Sequence, residues 1–153
     1  MKPNAIRPIA ICVFHHDGRI LAARFRDPQR GRVFYRPLGG GIEFGEYSAE
    51  TIVREIREEL GAEVIDLRYL ATLENVFSHN GQRGHEIIAV YDGAFADPTF
   101  YEPPSLTGDD NGRPLDVVWL SLADCRRPDA PPVFPTGLLD LLEEAYAKDA
   151  KKT

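Results

Sequence analysis

Between Lys2 and Lys148 the chain has no lysine, so its interior cations are arginines and a few histidines. Cysteine is also scarce. Cys12 and Cys125 are the only two, and Cys12 sits in an apolar strand-like run, which leaves no disulfide framework and no cysteine metal site. No apolar run approaches the roughly 18 residues of a membrane span, and the N-terminal stretch MKPNAIRPIA lacks a signal-peptide core. The expectation is a cytoplasmic protein with no membrane partner. A basic surface is missing as well: the net charge of −6 argues against a nucleic-acid duplex as partner. It leaves room for small phosphate-bearing ligands, because a bound divalent cation can supply the positive charge. What is present is ordinary for a globular protein. The 153 residues suit a single domain, 1–153, with a core of its own. There is no internal repeat, low-complexity tract or interdomain linker.

Residues 9–16, IAICVFHH, read as a strand, and Asp17-Gly18 as a tight hairpin turn into a second strand over 19–26. That second strand is expected to alternate, with Ile20, Ala22 and Phe25 inward and Arg24 and Arg26 outward. VFYRPL leads into Gly39-Gly40-Gly41. VIDLRYLATLENVF reads as a long, bent strand, with a turn at Asn80-Gly81 and HEIIAVYDGAFA running back beside it. Residues 97–114 are rich in Pro, Gly and Asp and read as a loop; LDVVWLSL is the next strand. Ser121 and Asp124 suit a short capped turn. Residues 137–148 form an amphipathic terminal helix, with Leu138, Leu141, Leu142 and Ala145 on one face. Hairpins mixed with helices, without regular βαβ repeats, indicate an α+β fold with a mixed sheet.

The densest signal is the acidic stretch after the glycines, which carries seven glutamates from Glu43 to Glu63. Ser48 is the expected N-cap and Gly61 the stop of a helix over residues 49–60. At 100° per residue, Ala49, Ile52, Val53, Ile56 and Leu60 form one apolar stripe. Glu55, Glu58 and Glu59 share an arc of about 100° that borders this stripe and does not lie opposite it. Three gathered carboxylates repel one another, and a helix shaped only by solubility would interleave lysines. A glycine loop allows close backbone approach and can turn a carbonyl toward the same place. Carboxylate and carbonyl oxygens together are what Mg²⁺ or Mn²⁺ prefers. The acids are placed for a metal.

Gly40, Glu46, Arg54, Glu55, Ile56, Glu58, Glu59 and Gly61 stand at the spacing G-x5-E-x7-R-E-U-x-E-E-x-G-U, with Ala62 at the last aliphatic position. This stretch resembles the Nudix box. One proline precedes Leu38 here, where the family usually places it directly before the glycine pair. The resemblance implies a Nudix-like α/β/α sandwich with a mixed β-sheet and a catalytic loop–helix–loop. It implies metal-dependent hydrolysis of a nucleoside diphosphate linked to another moiety: a nucleoside triphosphate, nucleotide sugar, ADP-ribose or dinucleoside polyphosphate. The other reading of the fold is a sensor that binds a nucleotide without turnover. By the resemblance, Glu58 and Glu59 are the main metal ligands, Glu55 is a further ligand or the base that orients water, and the Gly39 carbonyl also coordinates. Glu46 and Arg54 resemble the pair that ties the loop to the helix. Many relatives pair up, so a homodimer is among the expectations. Subfamily markers, a proline or a tyrosine 15 to 17 residues beyond Ala62, are replaced by Phe77 and His79.

Outside the box, arginines at 19, 24, 26, 30, 32 and 36 face a single acid, Asp27. Guanidinium binds phosphate bidentately, and Arg24 and Arg36 are the candidates for a phosphate clamp; a solvated strand face is the plainer reading. Glu86 and Asp116 are the candidates for a further acid of the site, with Glu102, Asp109 and Asp110 as loop acids. Phe34, Tyr35 and Trp119 read as core, and His79 and His85 as turn residues.

Overall fold

The first strand, β1 (Ile6–His16), is buried without a break from Ile9 to Phe14. Only a strand covered on both faces tolerates such a run. Its side chains sort by parity. Ala10, Cys12 and Phe14 join one core cluster with Ile52 and Ile56 of helix α1 (Ser48–Leu60). Ile9, Ile11 and Val13 join another with Leu138 and Leu142 of helix α3 (Leu138–Lys151). The result is a sheet with one helix on each face, the expected α/β/α sandwich. The computed structural model describes residues 4–79 and 81–151.

The sheet runs β5 (Val64–His79), β6 (Gln82–Phe95), β1, β2 (Arg19–Arg26), β8 (Arg113–Ser121), β7 (Ser105–Asp110), with β3 (Val33–Arg36) added to β2 and β4 (Leu38–Gly41) added to β1. β1 pairs in parallel with β6 (Gln82–Phe95), from Ile6↔His85 to Phe14↔Gly93. Its other edge is shared: β4 takes Ile9 to Cys12, and β2 takes only His15 and His16. The sheet therefore parts at β1, and the glycine strand β4 occupies the parting. β5 (Val64–His79) pairs antiparallel with β6, and two register shifts, near Ile65/Arg68 and Tyr69/Ala71, supply the expected bend. Of the turn expected between them, Asn80 lies outside the described residues.

Three expectations need correction. β2 does not alternate: Ile20, Leu21, Ala22 and Ala23 are all buried, because both faces are covered, Leu21 and Ala23 joining the cluster on the α1 side and Ile20 the one on the α3 side. The stretch 97–114 is not a loop. It holds a short 3-10 turn, Pro98–Tyr101, and then a hairpin of β7 (Ser105–Asp110) and β8 (Arg113–Ser121). Its turn is Asn111-Gly112, both at positive φ (49° and 87°), a strong hairpin dipeptide hidden among other loop formers. The N-cap of α1 is Tyr47 rather than Ser48; the Glu50 carboxylate accepts the Tyr47 N–H at 2.9 Å, while the Ser48 hydroxyl meets the Tyr91 hydroxyl at 2.7 Å. Gly61 does end the helix, in the left-handed conformation at φ 67°. Ser121 caps the short helix α2 (Leu122–Cys125) as expected.

The β7–β8 hairpin packs on the end of α1. A Cβ on Gly108 would stand 2.7 Å from the Glu59 carbonyl oxygen, a backbone atom that cannot step aside. Gly108→Ala is therefore expected to destabilise the protein by about 1–3 kcal/mol through overpacking, measured as a lower urea midpoint. An unchanged midpoint would show that the hairpin is free to shift off the helix.

Candidate active site

The strand LGGG brings backbone against the start of the acidic cluster because two of its residues lack side chains where a side chain has no room. A Cβ on Gly39 would strike the backbone of Ala10 and Ile11 on β1, and one on Gly40 would lie inside the Glu55 carboxylate. Glu55 thus rests directly on β4. From the same strand the Gly39 N–H donates to Glu59 Oε1 at 3.2 Å. The Gly39 backbone and two of the three acids meet here.

Arg54 fixes the loop that follows. Its Nε and Nη2 donate to the two Glu46 oxygens at 2.8 and 2.9 Å, and Nη2 also reaches the Gly41 carbonyl at 3.1 Å. The Thr51 hydroxyl, fully buried, adds a 2.6 Å bond to Glu46 Oε1. These bonds, Arg54 first, hold the Glu46 carboxyl down at about 2. On its other side Arg54 Nη1 donates to Glu55 Oε1 at 2.8 Å and lies 3.5 Å from Glu58 Oε2. One guanidinium therefore spans the loop and two of the helix acids.

The acids differ in environment. Glu58 is the exposed one, at 56 %. Burial pushes the Glu55 carboxyl up, against the pull of Arg54. Glu59 is pushed up to about 8, first by burial and then by the neighbouring Glu55 charge, with Asp110 and Glu58 adding to it. Asp110 acts on Glu55 as well, so the tip of the β7–β8 hairpin delivers a fourth acid to this corner. Its usable signal was Asn111-Gly112, which marks a hairpin and so a fixed position for Asp110. Among the described residues no three His, Cys, Asp or Glu side chains stand together as a ready ligand cage. The carboxylates point instead to Arg54 and to the Gly39 N–H. Their chemistry nonetheless fits a hard divalent cation: every donor is oxygen, and two of the acids are crowded and half-desolvated.

A second charged group lies beside the glycines. Glu86, on β6, is 1 % exposed and is held by Arg36 at 3.3 Å, Arg7 at 3.7 Å and the Asn75 amide at 3.5 Å. Two guanidiniums around one carboxylate leave a net positive charge. Nothing in the sequence singles out Arg7; its place follows from the parallel register Arg7↔Glu86, which no local pattern encodes. Arg7 Nη2 also comes within 3.8 Å of where a Gly41 Cβ would be, so this cluster adjoins the glycine loop. Arg24 and Asp116 stand apart from it. They are cross-strand partners on β2 and β8 and form an exposed 3.8 Å ion pair with each other. Among the described residues no hydrogen bond or ion pair links either to the acids of α1.

Two predictions follow from this corner. Arg54→Ala should lower the melting temperature as well as activity, because it strands the partly buried Glu46 and frees the loop; unchanged melting with weakened substrate binding alone would assign Arg54 to the substrate. The second concerns pH. The Glu59 carboxyl lies higher in the folded protein, at about 8, than its ordinary 4.5, so the folded state binds this proton more tightly. Its contribution to stability is complete below the ordinary value and is lost as pH rises through about 8. In chelator-treated protein, denaturation across this window should show a loss of stability with rising pH that Glu59→Gln flattens. The same slope in both proteins would mean that Glu59 does not carry it.

The NUDIX domain profile matches residues 5–140. The chain is 33 % identical over 93 residues to the NAD-capped RNA hydrolase NudC of Mycobacterium tuberculosis, covering 60 % of this chain and 29 % of that protein. With NudC of Pseudomonas aeruginosa it shares 33 % over 75 residues, 49 % of this chain and 26 % of the other. The chain thus spans less than a third of the length of these relatives. Among solved structures, the NUDIX hydrolase from Nitrosomonas europaea superposes with a TM-score of 0.65 at 18 % identity, covering 96 % of this chain and 90 % of that one. An ADP compounds hydrolase gives 0.61 at 23 %, with coverages of 97 % and 77 %, and a UDP-X diphosphatase gives 0.65 at 17 %, with 97 % and 66 %. At such identities the likeness is one of fold. With the profile running over nearly all its residues and the box at the parting of its sheet, the chain belongs to the Nudix family.

Proposed function

We propose that the protein is a pyrophosphohydrolase that cleaves a phosphoric anhydride bond in a nucleoside diphosphate linked to another moiety, with Mg²⁺ or Mn²⁺. The observation that carries this reading is the pair Glu55 and Glu59, crowded together on the glycine strand with Glu58 and Asp110 nearby. An unrelieved cluster of that kind would only repel a polyphosphate. Glu58 and Glu59 would hold the metal, with the Gly39 carbonyl and Asp110 beside them, and Glu55 would join them or orient the attacking water. When bound, the ion neutralises the diphosphate, activates a water and stabilises charge on the leaving oxygen.

The rest of the reaction is positioning by the chain itself. Water adds to phosphorus, the anhydride P–O bond breaks, and the two phosphate products share the protons of that water. Arg36 and Arg7, held by Glu86 beside the glycine loop, would bind the phosphates. Arg54 and Glu46 keep loop and helix in register, a structural role. The similar proteins support the substrate class, since the NAD-capped RNA, UDP-X and ADP compounds for which they are named each join a nucleoside diphosphate to a second group.

Glu58→Gln and Glu59→Gln should each lower kcat by orders of magnitude with the fold intact, because the lost interaction belongs to the transition state. Phosphorus NMR over a panel of nucleoside triphosphates, ADP-ribose, nucleotide sugars and dinucleoside polyphosphates is the direct check. New phosphate resonances that appear with Mg²⁺ and vanish with chelator are expected. Tight binding with unaltered spectra across the panel would make the protein a sensor instead.

A further inference from the structure

A cavity of about 330 Å³ opens where the β1–β2 turn meets the 3-10 turn Pro98–Tyr101 and β8. It is lined by the rings of His16, Tyr101 and Trp119 and by the charged Asp17, Arg19 and Glu102. None of these belongs to the box or to the Arg7–Arg36–Glu86 group. Along β1, His16 lies five residues beyond Ile11, the partner of Gly39, roughly 16 Å away at the rise of a strand. The walls are fixed from behind. The Tyr101 hydroxyl accepts the Phe95 N–H at 2.9 Å, and its ring meets the Phe95 ring edge-on at 5.4 Å. The Trp119 backbone N–H donates to the Pro104 carbonyl at 3.2 Å. The Leu122 N–H donates to the Gly18 carbonyl at 3.0 Å and so pins the β1–β2 turn.

Three features of this lining call for a ligand. The ring of Tyr101 stands 4.6 Å from that of His16 and 5.7 Å from that of Trp119, which offers a cation a continuous π surface. Arg19 and Glu102 share the cavity, yet among the described residues neither side chain pairs with the other or with a third group. Asp17 is engaged, by His16 at 3.3 Å. The Trp119 indole N–H is shut off from water with no acceptor among the described residues, where buried donors nearly always have one. A plain cation would suit the rings and Glu102 but face Arg19. A plain anion would suit Arg19 but face Glu102 and Asp17. A molecule that carries an ammonium and a carboxylate answers both charges, and the volume is that of a small one.

We propose that this cavity is a second binding site, for a small zwitterion whose ammonium group lies on the Tyr101 and Trp119 rings beside Glu102 and whose carboxylate meets Arg19. Trp119 is the only tryptophan of the chain, so its fluorescence and its single indole N–H resonance read the site directly. The protein is titrated with glycine betaine, which carries both charges, and with tetramethylammonium and acetate, which carry one each. Betaine should move both Trp119 signals saturably and bind at least about fivefold tighter than either single-charge probe. Glu102→Gln should weaken betaine and tetramethylammonium about two- to fivefold and spare acetate. Arg19→Gln should weaken betaine by a similar factor and leave tetramethylammonium no weaker. Both side chains are exposed, so the variants should melt as the unaltered protein does. Unmoved Trp119 signals, betaine no tighter than a single-charge probe, or betaine binding that survives both substitutions overturns the proposal. No nucleotide enters the titration, so its outcome is independent of the hydrolase reading.

Discussion

The site depends on one guanidinium. Arg54 reaches back across the loop to both oxygens of Glu46 and to the Gly41 carbonyl, and forward along its own helix to Glu55 and Glu58. Without it the loop from β4 to α1 would have a buried threonine and a short run of backbone bonds to hold it. The acids beyond would have no cation among them. Fork geometry is essential here, because a lysine offers one point charge where Arg54 satisfies four groups at once. The glycines complete the arrangement from the opposite side by admitting the Glu55 carboxylate to a place any side chain would fill.

This coupling of loop and helix explains why the box could be read so directly from the sequence. Its residues act over short chain distances: Glu46 to Arg54, Arg54 to Glu55, Gly61 to Arg57. Local periodicity and end signals are enough to place them. The same holds for the helices and the Asp17-Gly18 hairpin. The layer order came from the resemblance, and the uninterrupted apolar run of β1, covered on both faces, accords with it.

What escaped was set by pairing between distant strands. Arg7 and Glu86 are neighbours only because β1 and β6 run parallel in one particular register. Glu86 was a candidate by type alone; nothing local distinguishes it from Asp116, which the structure commits to Arg24 on an exposed ladder. Phe34 read as a core residue, as aromatics usually are, yet it lines a cavity together with Phe77 of the distant strand β5. The hairpin of β7 and β8 was lost for a different reason. A run crowded with proline, glycine and aspartate hides one decisive turn dipeptide among several indifferent ones.

The scarcity of lysine has a meaning at the site that composition alone does not convey. Its cations, Arg7, Arg36 and Arg54, keep their protons throughout the working range of any enzyme. Every protonation change in the corner therefore falls to the carboxylates, and titration can run in only one direction. Raising the pH makes the cluster more negative and never less positive on the arginine side. The corner is a fixed positive frame around an adjustable negative centre, in which the pH of the medium changes the charge of the acids and leaves that of the arginines alone.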